Sequence, residues 1–213
     1  MKKKCIVLFL SGIMCLSSGS HIVLASDVTP TPELSEEDSS QIAIDGFRGY
    51  AWGTSLADIV NAELTSSMVS GVDYTLSNNV LFILDGEVSN YKTNVGYFFD
   101  SALKLGKAAY LLDEEHIDYY NYYEDYCNLE ELYETKYGTP AKQEAVWTND
   151  LYKENKEDWG TALAAGHVTF YTEWEDSDGN SILIENFGDN AQIYTRITYK
   201  SSTYVQEKNT NGI

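Results

Sequence analysis

The chain has 213 residues, with 14 Lys and Arg against 33 Asp and Glu, which gives a formal net charge of −19 at neutral pH. Such an acidic chain repels nucleic-acid phosphates and anionic lipid headgroups, which excludes nucleic acid as a partner and argues against docking on an anionic membrane surface.

The first residues have the layout of a secretory signal peptide. Three lysines are followed by an apolar run from Cys5 to Leu16 and by a stretch of small residues that ends at Ala25. We therefore predict a signal peptide over 1–25, cleaved between Ala25 and Ser26, and a secreted or cell-surface protein. The apolar run is too short to cross a hydrocarbon layer of about 30 Å, so no stable membrane insertion is expected.

Residues 26–44 read SDVTPTPELSEEDSSQIAI and contain few groups that could be buried. Prolines, serines and acids in this proportion predict a disordered acidic linker. Beyond it Pro140 is the only proline, so we predict a single α+β domain over 45–204 and a flexible tail over 205–213.

The stretch FRGYAWGTSLADI, residues 47–59, precedes the first predicted helix. Ser55 with Asp58 three residues on forms a capping pattern, and apolar residues at helical spacing extend the prediction to 55–66. Gly49 and Gly53 would allow sharp turns. Tyr50 and Trp52 have two interpretations: the favoured one is that they fix the chain to the first helical turn, and the other is that they contact a ligand.

A period of two follows and predicts antiparallel strands at Tyr74–Leu76, Val80–Leu84, Tyr91–Phe99 and Leu103–Leu112. The tetrapeptide 84–87 (Leu-Asp-Gly-Glu) carries a hairpin signal, and Asp100–Ser101 is predicted as a second turn.

The second predicted helix covers 117–137 and ends at Gly138-Thr139-Pro140. Its apolar stripe is predicted to comprise Tyr119, Tyr122, Tyr126, Leu129, Tyr133 and Tyr137. Tyr120 lies outside this stripe and Tyr123 lies on its flank, as does Cys127, which we interpret as a partly buried thiol. Tyr120 and Tyr123 are therefore candidates for contacts with a protein partner or with sugar rings, although packing remains the favoured role.

Three more strands are predicted at 168–174, 181–187 and 191–199. Asp176, Asp178 and Asn180 between the first two fail the calcium-loop pattern and predict a hairpin turn instead. The fold class predicted is α+β: an antiparallel sheet with two helices on one face, built as a pseudo-repeat of a helix followed by three or four strands.

Motifs for catalysis are missing from the sequence. There is no HExxH spacing, CxxC pair or GxSxG elbow, so we predict a non-enzyme without metal or cofactor. His116 and Cys127 are separated by about 16 Å if one straight helix carries both, at 1.5 Å per residue, which prevents a catalytic pair.

The segments FRGYAWGTSLADI, KYGTPAKQEAVW and AQIYTRITYKS resemble a family of small, largely uncharacterised exported proteins of Gram-positive gut bacteria that begin with Phe-Arg-Gly-x-x-Trp-Gly-x-Ser. The resemblance covers residues 46–201. More distantly, the Gly-x-Ser helix start and the Tyr-Gly-x-Pro helix end are similar to helix-plus-hairpin modules of outer-membrane assembly lipoproteins and of β-lactamase inhibitor proteins. Those modules imply protein binding through a sheet face or loops, without catalysis.

Three functions stay open. The first is a non-catalytic binding or assembly domain at the cell envelope that contacts a protein partner. The second is a carbohydrate-binding or carbohydrate-active protein, and the third, which rests on the distant resemblance, is an inhibitor of a secreted enzyme.

Overall fold

The computed structural model describes residues 42–65 and 79–205, which belong to one compact unit. Its strands are β1 (Gly46–Phe47), β2 (Tyr50–Ala51), β3 (Val80–Val88), β4 (Tyr91–Phe99), β5 (Leu105–Leu112), β6 (Lys142–Trp147), β7 (Val168–Glu175), β8 (Ser181–Asp189) and β9 (Gln192–Lys200). Its helices are α1 (Leu56–Thr65), α2 (Tyr120–Tyr137) and α3 (Trp159–Ala164), the last preceded by a 3-10 turn at Lys156–Asp158.

Strands β3 to β9 form one sheet in the order β3-β4-β5-β9-β8-β7-β6, and every neighbouring pair is antiparallel. The sheet therefore consists of two meanders, β3-β4-β5 and β6-β7-β8-β9, joined where β5 pairs with β9. The predicted α+β class with an antiparallel sheet is confirmed.

The two faces of the sheet differ in exposure. Along β7, β8 and β9 buried residues alternate with half-buried or exposed ones, as expected for strands with one face in a core. We call the second set the open face. Trp174, Ile184 and Ile197 are fully buried on the other face, which carries the core.

Each helix contacts this core. In α1, Glu63 accepts a hydrogen bond from the Tyr97 hydroxyl. In α2, the Tyr126 hydroxyl lies 2.5 Å from the Thr172 hydroxyl. In α3, the Trp159 ring lies 5.3 Å from the Phe170 ring.

The helix starts differ in their capping: a side chain caps α1, whereas Tyr119, the N-cap residue of α2, makes no side-chain cap hydrogen bond. The amide of Asp58 donates to Ser55 Oγ at 3.2 Å, which confirms the predicted cap of α1. The second helix begins at Tyr120 and not at residue 117, because Asp118 Oδ1 accepts from the Tyr120 amide while Ile117 is fully exposed.

The predicted stripe of α2 is wrong in its first turn. Tyr119 is exposed and Tyr122 only half-buried, whereas Tyr123 is 2% exposed. The reason is tertiary, since the Tyr123 ring packs 4.8 Å from Phe170 and 5.3 Å from Trp159. From Tyr126 onwards the predicted residues are buried. Cys127 is half-buried, as predicted.

The predicted hairpin at 84–87 is also wrong. Strand β3 continues to Val88, its pairing with β4 shifting between Ile83 and Gly86, and the turn lies at Ser89–Asn90 with φ of 52° and 72°. The Asp100–Ser101 turn is confirmed, because Asp100 Oδ1 accepts from two amides that follow it. The strand predicted at Tyr74–Leu76 lies outside the described residues.

Candidate binding cleft

The stretch that opens the folded part of the chain forms a tight hairpin. Strands β1 and β2 pair across Arg48–Gly49, whose φ angles are 53° and 83°. Two successive positive φ angles characterise a type I′ turn, which demands Gly or Asn far more than Arg. Gly53 also has φ of 83°, so the sharp turns predicted at both glycines are confirmed.

Phe47 fixes this hairpin to the sheet. Its side chain is buried, with ring centroids 4.7 Å from Tyr110, 5.0 Å from Tyr199 and 5.4 Å from Tyr97. These tilted and edge-on arrangements are favourable for aromatic pairs. The hairpin therefore covers a cluster of tyrosines on β4, β5 and β9.

Trp52 holds the residues before the hairpin. Its indole Nε1 donates to the carbonyl of Ile44 at 2.7 Å, and its amide donates to the carbonyl of Asp45 at 3.0 Å. The side chain is half-buried against the core. This is a structural role for Trp52, in line with the favoured interpretation of the sequence.

A buried carboxylate lies beneath the hairpin. Glu63 accepts from the Tyr97 hydroxyl at 2.5 Å and lies 3.7 Å from Arg48 Nε. Burial, with the hydrogen bond to Glu63, raises the pKa of Tyr97. Burial, with the charge of Glu63, raises the pKa of Tyr50 as well. Both phenols therefore stay protonated at neutral pH.

An open cleft of about 850 Å³ lies between the hairpin and the last two turns of α2. The chain segment 42–51 forms one wall, Leu132, Tyr133, Lys136 and Tyr137 form the other, and Tyr110 and Tyr199 form the floor. Val88 and Ser89 lie at its edge.

The cleft offers aromatic surface, hydroxyl groups and positive charge. The hydroxyls of Tyr133 and Tyr199 lie 2.7 Å apart, and burial raises the pKa of both. Lys136 Nζ lies 4.7 Å above the Tyr137 ring, while Leu132 is 44% exposed. Phenols with raised pKa values act as hydrogen-bond donors rather than as nucleophiles or bases. The arrangement suits binding of an apolar group that carries a hydrogen-bond acceptor.

The candidates named from the sequence divide between two places. Tyr50 lines the cleft, and Trp52 supports its wall from behind. Tyr120 and Tyr123 belong to a second aromatic cluster at the other end of α2, where their rings lie 5.7 Å apart. Tyr123 is buried there and offers no surface to a partner, whereas Tyr120 is half-buried.

The two histidines of the described ranges contact neighbouring side chains, although His167 Nδ1 is buried without a hydrogen-bond partner. His116 Nε2 contacts Asp125 Oδ2 at 2.5 Å, and the His167 ring stacks on Tyr152. Over residues 42–65 and 79–205, no group of three His, Cys, Asp or Glu side chains is placed to hold a metal ion. Within the same ranges, no helix combines the length and apolarity needed to cross a membrane.

No protein-family model matches the chain, and neither a curated protein nor a solved structure matches it. The resemblance carried by the Phe-Arg-Gly-x-x-Trp-Gly-x-Ser start therefore stays a prediction from the sequence. Function has to be argued from the geometry of the chain itself.

Proposed function

We propose that this chain is an exported, non-catalytic binding or assembly domain at the cell envelope, and that it contacts a protein partner through the cleft between the 42–51 segment and α2. The layout of residues 1–25 supports export. The composition of residues 26–44 supports a spacer that holds the domain away from its neighbours and that ends where Ile44 is buried in the domain.

The cleft is the observation that carries this proposal. Aromatic side chains supply contact area with few rotatable bonds, and tyrosine is enriched among the residues that dominate binding at protein interfaces. Leu132 and Lys136 lie at the rim, and protonated phenols line the interior. The expected occupant is a partner segment with an apolar side chain next to a carbonyl or carboxylate.

The finer architecture is part of the proposal. We infer that helices α1 and α2 pack on the same side of the sheet and that the two meanders repeat one helix-plus-strands unit. Contacts from Glu63 to Tyr97 and from Tyr126 to Thr172 support this arrangement. The cleft then lies at the junction of the two units, because Tyr110 comes from the first and Tyr199 from the second.

The test is capture from solubilised envelope and culture supernatant of the producing cell. The immobilised protein is compared with a Leu132→Ser, Lys136→Glu variant, whose changed side chains are exposed and therefore leave the core intact. The matched control is Leu151→Ser with Lys153→Glu, since Leu151 is exposed and both lie away from the cleft. A protein retained by the parent and by the control, but lost from the cleft variant, supports the proposal. Equal retention by all three refutes it.

A glycan ligand is the second candidate, because tyrosine rings also stack on sugars. Tyr50 is half-buried in the cleft wall and leaves part of its ring accessible. The same capture experiment distinguishes a protein partner from a glycan ligand, provided that eluates are analysed for glycans as well as for proteins. Cleft-dependent retention of glycan without protein would favour the carbohydrate function.

A further inference from the structure

The open face of the sheet is divided by charge. On β4, β5 and β9 the open-face positions include four cations, Lys92, Lys107, Arg196 and Lys200. These three strands lie wholly within the described ranges, and their open-face positions include no carboxylate. On the neighbouring edge strand β3, the exposed Glu87 is the register partner of Lys92. Burial lowers the pKa of Lys107 and the charge of Arg196 lowers it further, while the charge of Glu185 raises it.

The opposite sign dominates the other half. On β6, β7 and β8 the open-face positions include Glu144, Glu173, Glu175, Glu185 and Asp189 against the single cation Lys142. In a chain with more than twice as many acids as bases, an acidic surface needs no explanation. Four cations on three adjacent strands are unexpected in such a chain and need an explanation.

The boundary runs between β9 and β8. There Arg196 and Glu185 are register partners, and they form an ion pair with Nη2 at 2.6 Å from Oε2. Apolar side chains lie on both sides of this boundary: Phe98, Leu111, Leu183, Tyr171, Phe187 and Tyr194 are all half-buried at open-face positions. The open face therefore carries apolar side chains that a partner could bury, and its charge changes sign between β9 and β8.

We propose that this face binds the same face of a second copy of the chain, related by a two-fold axis near the Arg196–Glu185 pair. A two-fold axis at a boundary between opposite charges brings each basic half onto the partner copy's acidic half, so the surface complements itself. The half-buried apolar side chains along the middle become the core of that interface. This surface lies on the side of the sheet opposite the tyrosine cleft and goes beyond the proposed function.

The net charge of −19 does not prevent such pairing. At physiological ionic strength charges are screened beyond about 8 Å, so repulsion between distant acids is weak while opposed charges in contact still attract. The arrangement of charges on the open face decides whether two copies associate, and the total charge affects mainly the rate of association.

The experiment measures the self-association constant of the purified protein by sedimentation equilibrium. A dimer is expected, and raising the salt from about 0.05 M to about 0.5 M is expected to weaken it roughly tenfold, because its charged contacts are screened. A monomer at every concentration up to about 0.5 mM would overturn the proposal, since interfaces of standard size bind more tightly than this.

Two charge-reversed variants make the test specific. The first, Lys107→Glu with Lys200→Glu, leaves β4, β5 and β9 with Lys92 and Arg196 against two introduced acids, so the basic half loses its net charge. These two residues are register partners, so like charges face each other in the parent and in the variant. The second, Glu173→Lys with Glu175→Lys, leaves three acids against three cations on β6, β7 and β8, so the acidic half loses its net charge. Each alone is expected to dimerise at least tenfold more weakly than the parent, because a neutral half then meets a charged one at both contacts. An equimolar mixture is expected to recover dimers, because the unchanged acidic half of the first variant then meets the unchanged basic half of the second.

Controls with the same change in total charge show whether weaker dimerisation comes from the open face or from the total charge of the protein. Lys104→Glu with Lys153→Glu matches the first variant, and Glu124→Lys with Glu154→Lys matches the second; all four residues are exposed and lie outside the open face. Both controls are expected to dimerise like the parent. Dimers that survive both face variants, or a mixture that gains nothing over its components, would refute the face-to-face arrangement.

Discussion

The backbone amide of Ile44 donates a hydrogen bond of 2.8 Å to Oδ2 of Asp176, which lies 132 positions further along the chain. The other carboxylate oxygen accepts from the amides of Asp178 and Asn180 in the β7–β8 turn. One buried side chain therefore shapes a hairpin and fixes the segment that forms a wall of the cleft.

Replacing Asp176 by Asn is expected to destabilise the fold by about 1–3 kcal/mol, because buried amides lose a charged acceptor. The pKa of Asp176 reflects burial, which raises it, and hydrogen bonds from Ile44 and Asn180, which outweigh burial and lower it below the usual value. A lowered folded-state pKa means that the charge stabilises the fold above the unfolded pKa of about 4, and that this stability is lost as pH falls through the folded value. Urea unfolding should show a parent-to-variant difference that is constant near neutrality and shrinks below about pH 4. A difference independent of pH down to about 2 would contradict the role of the charge.

Trp52→Phe is expected to cost about 1 kcal/mol through loss of the hydrogen bond to the Ile44 carbonyl. If the indole serves the fold, partner capture at saturating protein stays at the parental level. Trp159→Phe is a matched control, since Trp159 Nε1 also donates to a carbonyl, that of Lys153, but away from the cleft. Parental stability with lost capture would instead assign Trp52 to ligand contact.

Tyr133→Phe is expected to destabilise by about 1–3 kcal/mol, because it leaves the buried Tyr199 hydroxyl without its partner. The double variant Tyr133→Phe, Tyr199→Phe removes both hydroxyls, so it should be less destabilised than the sum of the two single variants. A double-mutant cycle by chemical unfolding measures this coupling. Strict additivity would show that the two hydroxyls do not depend on each other.

Ala191→Gly is expected to stabilise the fold by about 0.5–1 kcal/mol. Asn190 and Ala191 connect β8 to β9 with φ of 51° and 65°, a conformation that costs alanine more than glycine. Ala165→Gly is the control, because Ala165 is exposed with φ of −82°, where glycine gives no relief. Thermal unfolding should therefore shift upwards for the first variant and not for the second.

Elements with clear periodicity were predictable from the sequence. The alternation from Val168 to Trp174 matches burial of every second residue in β7, and the Ser55 cap lies directly before α1. In such segments the hydrophobic pattern of the sequence agrees with the burial imposed by the tertiary structure, so the pattern predicts which side chains are buried.

Short or exposed elements were not predictable in this way. Strand β6 is an edge strand whose residues are mostly exposed, so Lys142–Trp147 shows little alternation, and α3 is too short to display a helical period. In α2 the choice of Tyr123 over Tyr122 for the core depends on Trp159, which is distant in sequence.

The cleft itself depends on four separate parts of the chain. Phe47, Tyr110, Tyr133 and Tyr199 each fit an apolar pattern locally, and the sequence treats them as independent core residues. Their convergence follows from the β5–β9 pairing, which periodicity cannot specify. The unusual feature available beforehand was Arg-Gly between aromatic residues at 47–50, a tight-turn signal beside large side chains.

The pairing of β5 with β9 also sets an order on folding. Lys107 and Lys200 are register partners although 93 positions separate them, and β9 is the last strand of the described residues. Each meander can begin to form from neighbouring hairpins, but the two halves cannot join until the C-terminal strand has been synthesised. A chain stopped before residue 192 has no strand to place between β5 and β8, so it would end as two unjoined meanders with unpaired edges, open to pairing with other chains.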